Sequence, residues 1–135
     1  KIVAIGGQVV TTSGDHETAF HFFPAERDTI LNFIEREKIK GVVFLTGDKH
    51  FTELSAMKNK AGNWVYDLTT SPLTSGVNPK AETNTWHVEG TRVNVHNFSV
   101  LRFSGARTDR KLEIKNYDAD GKETWTRTLT KEGPQ

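Results

Sequence analysis

The most constraining stretch of the chain is FPAERDTILNFIEREKIKGVVFLTGDKH, residues 23–50, a helical pattern that runs into a continuous apolar strand. Ile30, Leu31 and Ile34 recur at helical spacing, while Glu35, Arg36, Glu37 and Lys38 fill the opposite face. Pro24 suits the first turn, where its missing N–H costs no hydrogen bond, and Lys40-Gly41 closes the helix. GVVFLT then has no polar alternation, as in a central parallel strand with both faces covered. Residues 1–10, broken at Gly6-Gly7, read as a preceding strand. Strand, loop, helix and strand together predict a crossover unit with the helix on one face of a parallel sheet.

Ligands of open α/β sheets bind beyond the carboxyl ends of the strands. GDKH, residues 47–50, falls there. If the segment is extended, Asp48 and His50 point the same way and Lys49 points elsewhere. Gly47 lets the backbone approach a bound ion or phosphate. A carboxylate beside an imidazole suits iron, manganese, zinc or a calcium-assisted site. Two donors fall short of the three protein ligands usual for catalytic zinc. By local spacing alone, an Asp-x-His loop is more often a cap beside a solvated histidine than a metal site, and the placement after a buried strand brings the two readings level.

The remainder is β-rich. Residues 64–70 (WVYDLTT) read as a strand leading into the loop SPLTSG. Residues 78–91 read as a polar surface excursion and 92–103 as a long strand. Residues 111–117 and 122–129 flank DADG, a hairpin signal, and the tail at 131–135 should fray. The fold class is therefore α/β, a strand–helix–strand unit followed by mainly antiparallel strands. With 135 residues the chain forms one compact domain or part of a larger one, and KIVAIGG, a strand already in progress, favours a piece of something longer.

The formal net charge is +1 with no charge run, so nothing argues for nucleic acid as a partner. The absence of cysteine removes disulfides, thiolate catalysis and Cys-ligated zinc. No stretch is long and apolar enough to span a bilayer as a helix, and no signal peptide is visible.

IGGQVV, FPAERDTILNFI, VVFLTGDKHFTEL and LTTSPLTSG, in this order, resemble the C-terminal half of the alkaline phosphatase D family, metallophosphoesterase-like phosphomonoesterases and phosphodiesterases. The likeness covers the first two thirds of the chain, and GDKHFTEL with SPLTSG downstream is its most specific part. It implies the C-terminal half of a calcineurin-like phosphoesterase sandwich over residues 1–130, a phosphoester substrate and metal ions that clamp the phosphate and activate water. By resemblance His50 is a metal ligand and Asp48 a ligand or close neighbour, both catalytic. Gln8 and Arg27 are substrate-binding candidates. For Arg27 the residues alone favour a salt bridge anchoring the helix.

Superfamily members draw most metal ligands from an N-terminal half whose motifs do not precede GDKH here. That half is thus an implied partner, and the chain alone is expected to be inactive. The resemblance also implies an exported or periplasmic home, and an open sheet edge would suit a homo-oligomer.

Other residues carry weaker expectations. His16 and His21 lie in the loop after the first strand, His21 among Phe20, Phe22 and Phe23. His96 and Asn97 either support the GDKH loop or belong to a half-exposed strand with its polar face out. Ser71 and Ser75 lack a nucleophile elbow, so SPLTSG reads as a rigid loop beside the site. The alternative to a hydrolase is a non-enzymatic β-rich module that binds carbohydrate through Trp64, Trp86 and Trp125, or that scaffolds a protein partner.

Overall fold

The computed structural model describes residues 1–14, 18–80 and 83–135; Asp15 and His16 lie outside the described residues. In chain order its elements are β1 (Ile2–Ala4), α1 (Ala19–Phe22), α2 (Pro24–Arg36), β2 (Val42–Thr46), β3 (Glu53–Lys58), β4 (Trp64–Thr69), β5 (Asn97–Ser104), β6 (Lys111–Asp118), β7 (Glu123–Thr130) and β8 (Gly133–Pro134). Two four-stranded sheets result, ordered β1-β2-β4-β3 and β5-β6-β7-β8. The chain is thus mixed α/β, mostly strands.

The apolar run of β2 takes the interior place its composition demands, parallel to both β1 and β4. One face packs under α2: Val42, Phe44 and Val65 meet Ile34, Leu31 and the incoming Val9 and Val10. The other face is shared with the second sheet, where Val43, Leu54, Tyr66 and Leu68 meet Leu112, Ile114, Trp125 and Leu129. Each side chain so buried contributes about 1.5–3 kcal/mol. Pro24 opens α2, as its position predicts. The 118–123 hairpin also forms as expected, Asp118 Oδ1 accepting from the N–H groups of Asp120 and Lys122.

Several elements depart from the sequence reading, each for a local reason. β1 is only three residues long, because Val9 and Val10 turn away and donate their N–H groups to Asp67 Oδ2 at 2.7 and 2.9 Å. A single-turn helix, α1, forms within the expected loop, capped by the Thr18 hydroxyl on the His21 N–H. Its aromatic residues stay exposed, His21 meeting Phe22 edge-on at 5.0 Å.

β3 appears where no strand was expected, and the polar excursion at 78–91 covers part of its outer edge. Ala56 donates to the Trp86 carbonyl, Val88 to that of Leu54, and Thr52 and Val93 exchange bonds. Residues 92–96 cross from one sheet toward the other, so β5 begins only at Asn97. The C-terminal segment at 131–135, expected to fray, is paired on β7 through β8. Thr128 and Gln135 exchange backbone bonds at 2.8 and 2.9 Å, and Gly133 lies against the Trp64 indole, where an added Cβ would come within 3.1 Å.

Candidate active site

Beyond Thr46 the chain turns sharply. Gly47 N–H donates to the Gly6 carbonyl at 3.0 Å, and Lys49 N–H donates back to the Gly47 carbonyl at 2.8 Å. Asp48 and His50 both adopt positive φ, 68° and 60°. Left-handed backbone is uncommon for residues other than glycine and costs of order 1–3 kcal/mol each, so neighbouring structure must impose it.

That structure is visible. His50 N–H donates to Ser71 Oγ at 3.0 Å, and the His50 carbonyl accepts from Asn78 N–H at 2.8 Å. The 71–76 loop passes the imidazole closely enough that a Cβ on Gly76 would lie 3.9 Å from Nδ1. The extended geometry expected for GDKH is therefore absent. Asp48 is exposed and His50 half-buried, while Lys49 turns inward, 4% exposed, with Nζ 5.9 Å from the centre of the Phe51 ring.

His96 and Asn97 brace the same loop. His96 Nε2 lies 2.9 Å from the Ser75 carbonyl oxygen, and Asn97 Nδ2 donates to the Ser71 carbonyl at 3.0 Å. Asn97 N–H reaches the Pro72 carbonyl, and its Oδ1 accepts from Thr52 Oγ1 at 2.6 Å and Asn116 Nδ2 at 2.9 Å. Asn97 is buried rather than turned outward. SPLTSG, which contains a cis Ser71–Pro72 peptide, is thus held from the strand side as well as from the GDKH turn.

Behind the turn lies a buried polar cluster that sequence reasoning missed. Thr46 Oγ1 donates to Asp67 Oδ1 at 2.6 Å and lies 2.9 Å from Thr69 Oγ1, which accepts from Gln8 Nε2 at 2.8 Å. The second hydrogen of that amide reaches Glu53 Oε1 at 3.1 Å. Glu53 also accepts from Asn84 Nδ2 at 2.8 Å and meets Arg92 Nη1 at 3.5 Å and His87 Nδ1 at 3.3 Å. The His87 contact is a proximity without hydrogen-bond alignment. Burial pushes the Asp67 carboxyl up to about 6; the charge of Glu53 adds to the rise, and hydrogen bonds from Thr46, Val10 and Val9 oppose it. The one sequence signal was an acid inside the apolar strand WVYDLTT.

The two remaining candidates lie inside the protein. Gln8 is 1% exposed, and its Oε1 has no hydrogen-bond partner. Arg27 is 6% exposed: its Nε donates to the Val9 carbonyl at 2.8 Å, Nη1 reaches Asp28, and the guanidinium lies near the Phe20 and Trp86 rings at 5.2 and 5.4 Å. It anchors α2, the role its position on the helix favoured. Trp125 is core, Trp64 lies against Tyr66 and Gly133, and Trp86 lies by Arg27.

A polar turn beyond the carboxyl end of a buried parallel strand lies where open α/β sheets bind their ligands. Residues 8–121 match the family model of PhoD-like phosphatases, and the chain belongs to that family. The family implies a hydrolase acting on phosphoesters, of a kind that is generally metal-dependent. No curated protein and no solved structure matches the chain. Among the described residues no three His, Asp or Glu side chains are grouped as a metal site. No helix is long and apolar enough to cross a membrane.

Proposed function

We propose that this chain supplies the GDKH turn of a metal-dependent phosphomonoesterase or phosphodiesterase with a calcineurin-like sandwich. The observation that carries the reading is the pair of left-handed residues, Asp48 and His50, at the end of β2. Backbone strain of this kind clusters at functional sites. His50 is the metal ligand and Asp48 a ligand or neighbour of one; iron, calcium, zinc and manganese remain the candidate ions. Gln8 and Arg27 act on the site from behind: Gln8 ties Glu53 to Thr69, and Arg27 fixes the segment carrying Val9.

The further metal donors come, in this reading, from the N-terminal half of the parent domain. The exposed β1 edge, where Ile2 and Val3 are 43% and 40% exposed, is where that half or a second copy would add to the sheet. The chain alone is then expected to bind metal weakly and to turn over little p-nitrophenyl phosphate. Co-expression with the N-terminal half should restore hydrolysis, and His50→Ala should lower it by about 100-fold or more. Full activity in the His50→Ala complex would refute the assignment. Strong turnover by the isolated chain, lost in His50→Ala, would refute the need for a second half.

A further inference from the structure

Away from the GDKH turn, a cleft of about 890 Å³ opens between the sheets. It lies by Gly41 and Trp64, at the starts of β2 and β4 rather than at their ends. Its volume is in the range of pockets that take small organic ligands. Six cationic residues line it, Lys1, Lys40, Arg107, Arg110, Lys111 and Lys131, and no acidic residue does. A third of the chain's 18 basic residues thus face one opening in a protein of net charge +1, so the positive field is local to this cleft.

Lys1 Nζ donates to the Lys40 carbonyl at 2.8 Å, and the other five cations are poorly compensated. Arg107 and the side chains of Lys40 and Lys111 have no ion-pair or hydrogen-bond partner among the described residues. Arg110 Nη1 donates to the Gly105 carbonyl at 2.8 Å, which leaves its other nitrogens available. Lys131 makes only long contacts, 3.9 Å to Asp109 and 3.8 Å to Glu132. The cations also come from separate segments: the start of β1, the loop before β2, the β5–β6 loop with the first residue of β6, and the turn after β7. A single monovalent anion would engage only some of them. Phe103, on the same wall, is 57% exposed and offers an apolar platform.

We propose that this cleft binds a compact anion carrying two or more linked phosphate groups, free or as an ester, apart from the GDKH turn. Arginine recognises phosphate oxygens in pairs, and lysine adds point charge. The site does not depend on the hydrolase reading.

Calorimetric titration of the chain with inorganic phosphate, pyrophosphate, tripolyphosphate and ATP tests it. Pyrophosphate, tripolyphosphate and ATP should bind saturably and inorganic phosphate at least about tenfold more weakly, a difference of about 1.4 kcal/mol. ATP binding as tightly as tripolyphosphate identifies the phosphates alone as the ligand, and tighter ATP binding adds the Phe103 platform. Arg107→Glu with Lys111→Glu should weaken pyrophosphate binding at least about tenfold, as should Lys131→Glu on a different turn. Lys122→Glu, on the 118–123 hairpin, and His50→Ala should leave it unchanged. Four results would each overturn the proposal: no saturable binding, equal affinity for phosphate and pyrophosphate, an equal loss in Lys122→Glu, or a loss in His50→Ala.

Discussion

Replacing Asp67 with asparagine isolates the effect of one buried charge. In the folded chain burial lifts this carboxyl to about 6 from an ordinary value of 3.8. A shift of that size is worth about 3 kcal/mol between the two protonation states. The folded chain therefore keeps a proton at Asp67 over a range where the unfolded chain has released it. The stabilisation is full below about pH 4, declines as pH rises, and is gone once pH has passed through about 6. The asparagine does not titrate. It also turns an amide nitrogen toward the Val9 and Val10 N–H groups or toward the Thr46 hydroxyl, a roughly pH-independent penalty of about 1–3 kcal/mol per unpaired buried group. Urea denaturation of both proteins at pH 4, 5, 6 and 7, followed by tryptophan fluorescence, separates the two effects. The advantage of the wild type over Asp67→Asn should shrink by about 2 kcal/mol from pH 4 to pH 7. A difference constant to within about 1 kcal/mol across that range would refute the buried, proton-holding carboxyl.

Two further substitutions test the supporting structure. Arg27→Ala should cost about 2–4 kcal/mol in denaturant titration, because it leaves the Val9 carbonyl unpaired and removes the guanidinium from beside Phe20 and Trp86, and Arg27→Lys should recover little of it; a rise in KM at unchanged stability in the co-expressed enzyme would instead place Arg27 on the substrate. Gly105→Ala should cost about 1–3 kcal/mol and weaken pyrophosphate binding, because φ there is 80° and the added Cβ would meet the Asp109 carbonyl oxygen at 2.3 Å; unchanged melting and binding would refute that account of the loop.

What the sequence shows of this fold follows from how strongly each segment's pattern agrees with its final environment. α2, β2 and the 118–123 hairpin were legible because an apolar stripe, an unbroken apolar run and an Asp-Gly turn each have few alternatives. β3 was not, because ELSAMK carries Glu53 and Ser55 into a wholly buried setting, where partners from other segments satisfy them. Those partners, Gln8 and Asn84, lie 45 and 31 residues away, and no local pattern reports them. The GDKH turn falls at the end of β2 as expected, but its backbone is not extended. The two-residue alternation that would align Asp48 with His50 holds only for extended backbone, and both residues are left-handed.

The buried cluster and the strained turn belong to one arrangement. Thr46 is the last residue of β2, and its hydroxyl is fixed between Asp67 and Thr69 of the neighbouring strand. The chain therefore enters Gly47 from a strand end with little freedom. It meets the far side of the turn at His50, whose N–H and carbonyl are taken by Ser71 and Asn78. Ser71 is held by Thr52 and Asn97, and Asn97 by Asn116 of the second sheet. Each such bond contributes only about 0.5–1.5 kcal/mol, but together they match the few kcal/mol that two left-handed residues cost. A turn held at both ends in this way cannot relax without disturbing its neighbours, and this holds the His50 backbone beside the 71–76 loop. The carboxylates of Glu53 and Asp67, which never reach the surface, belong to the same buried network behind the turn, through Gln8, Thr69 and Thr46.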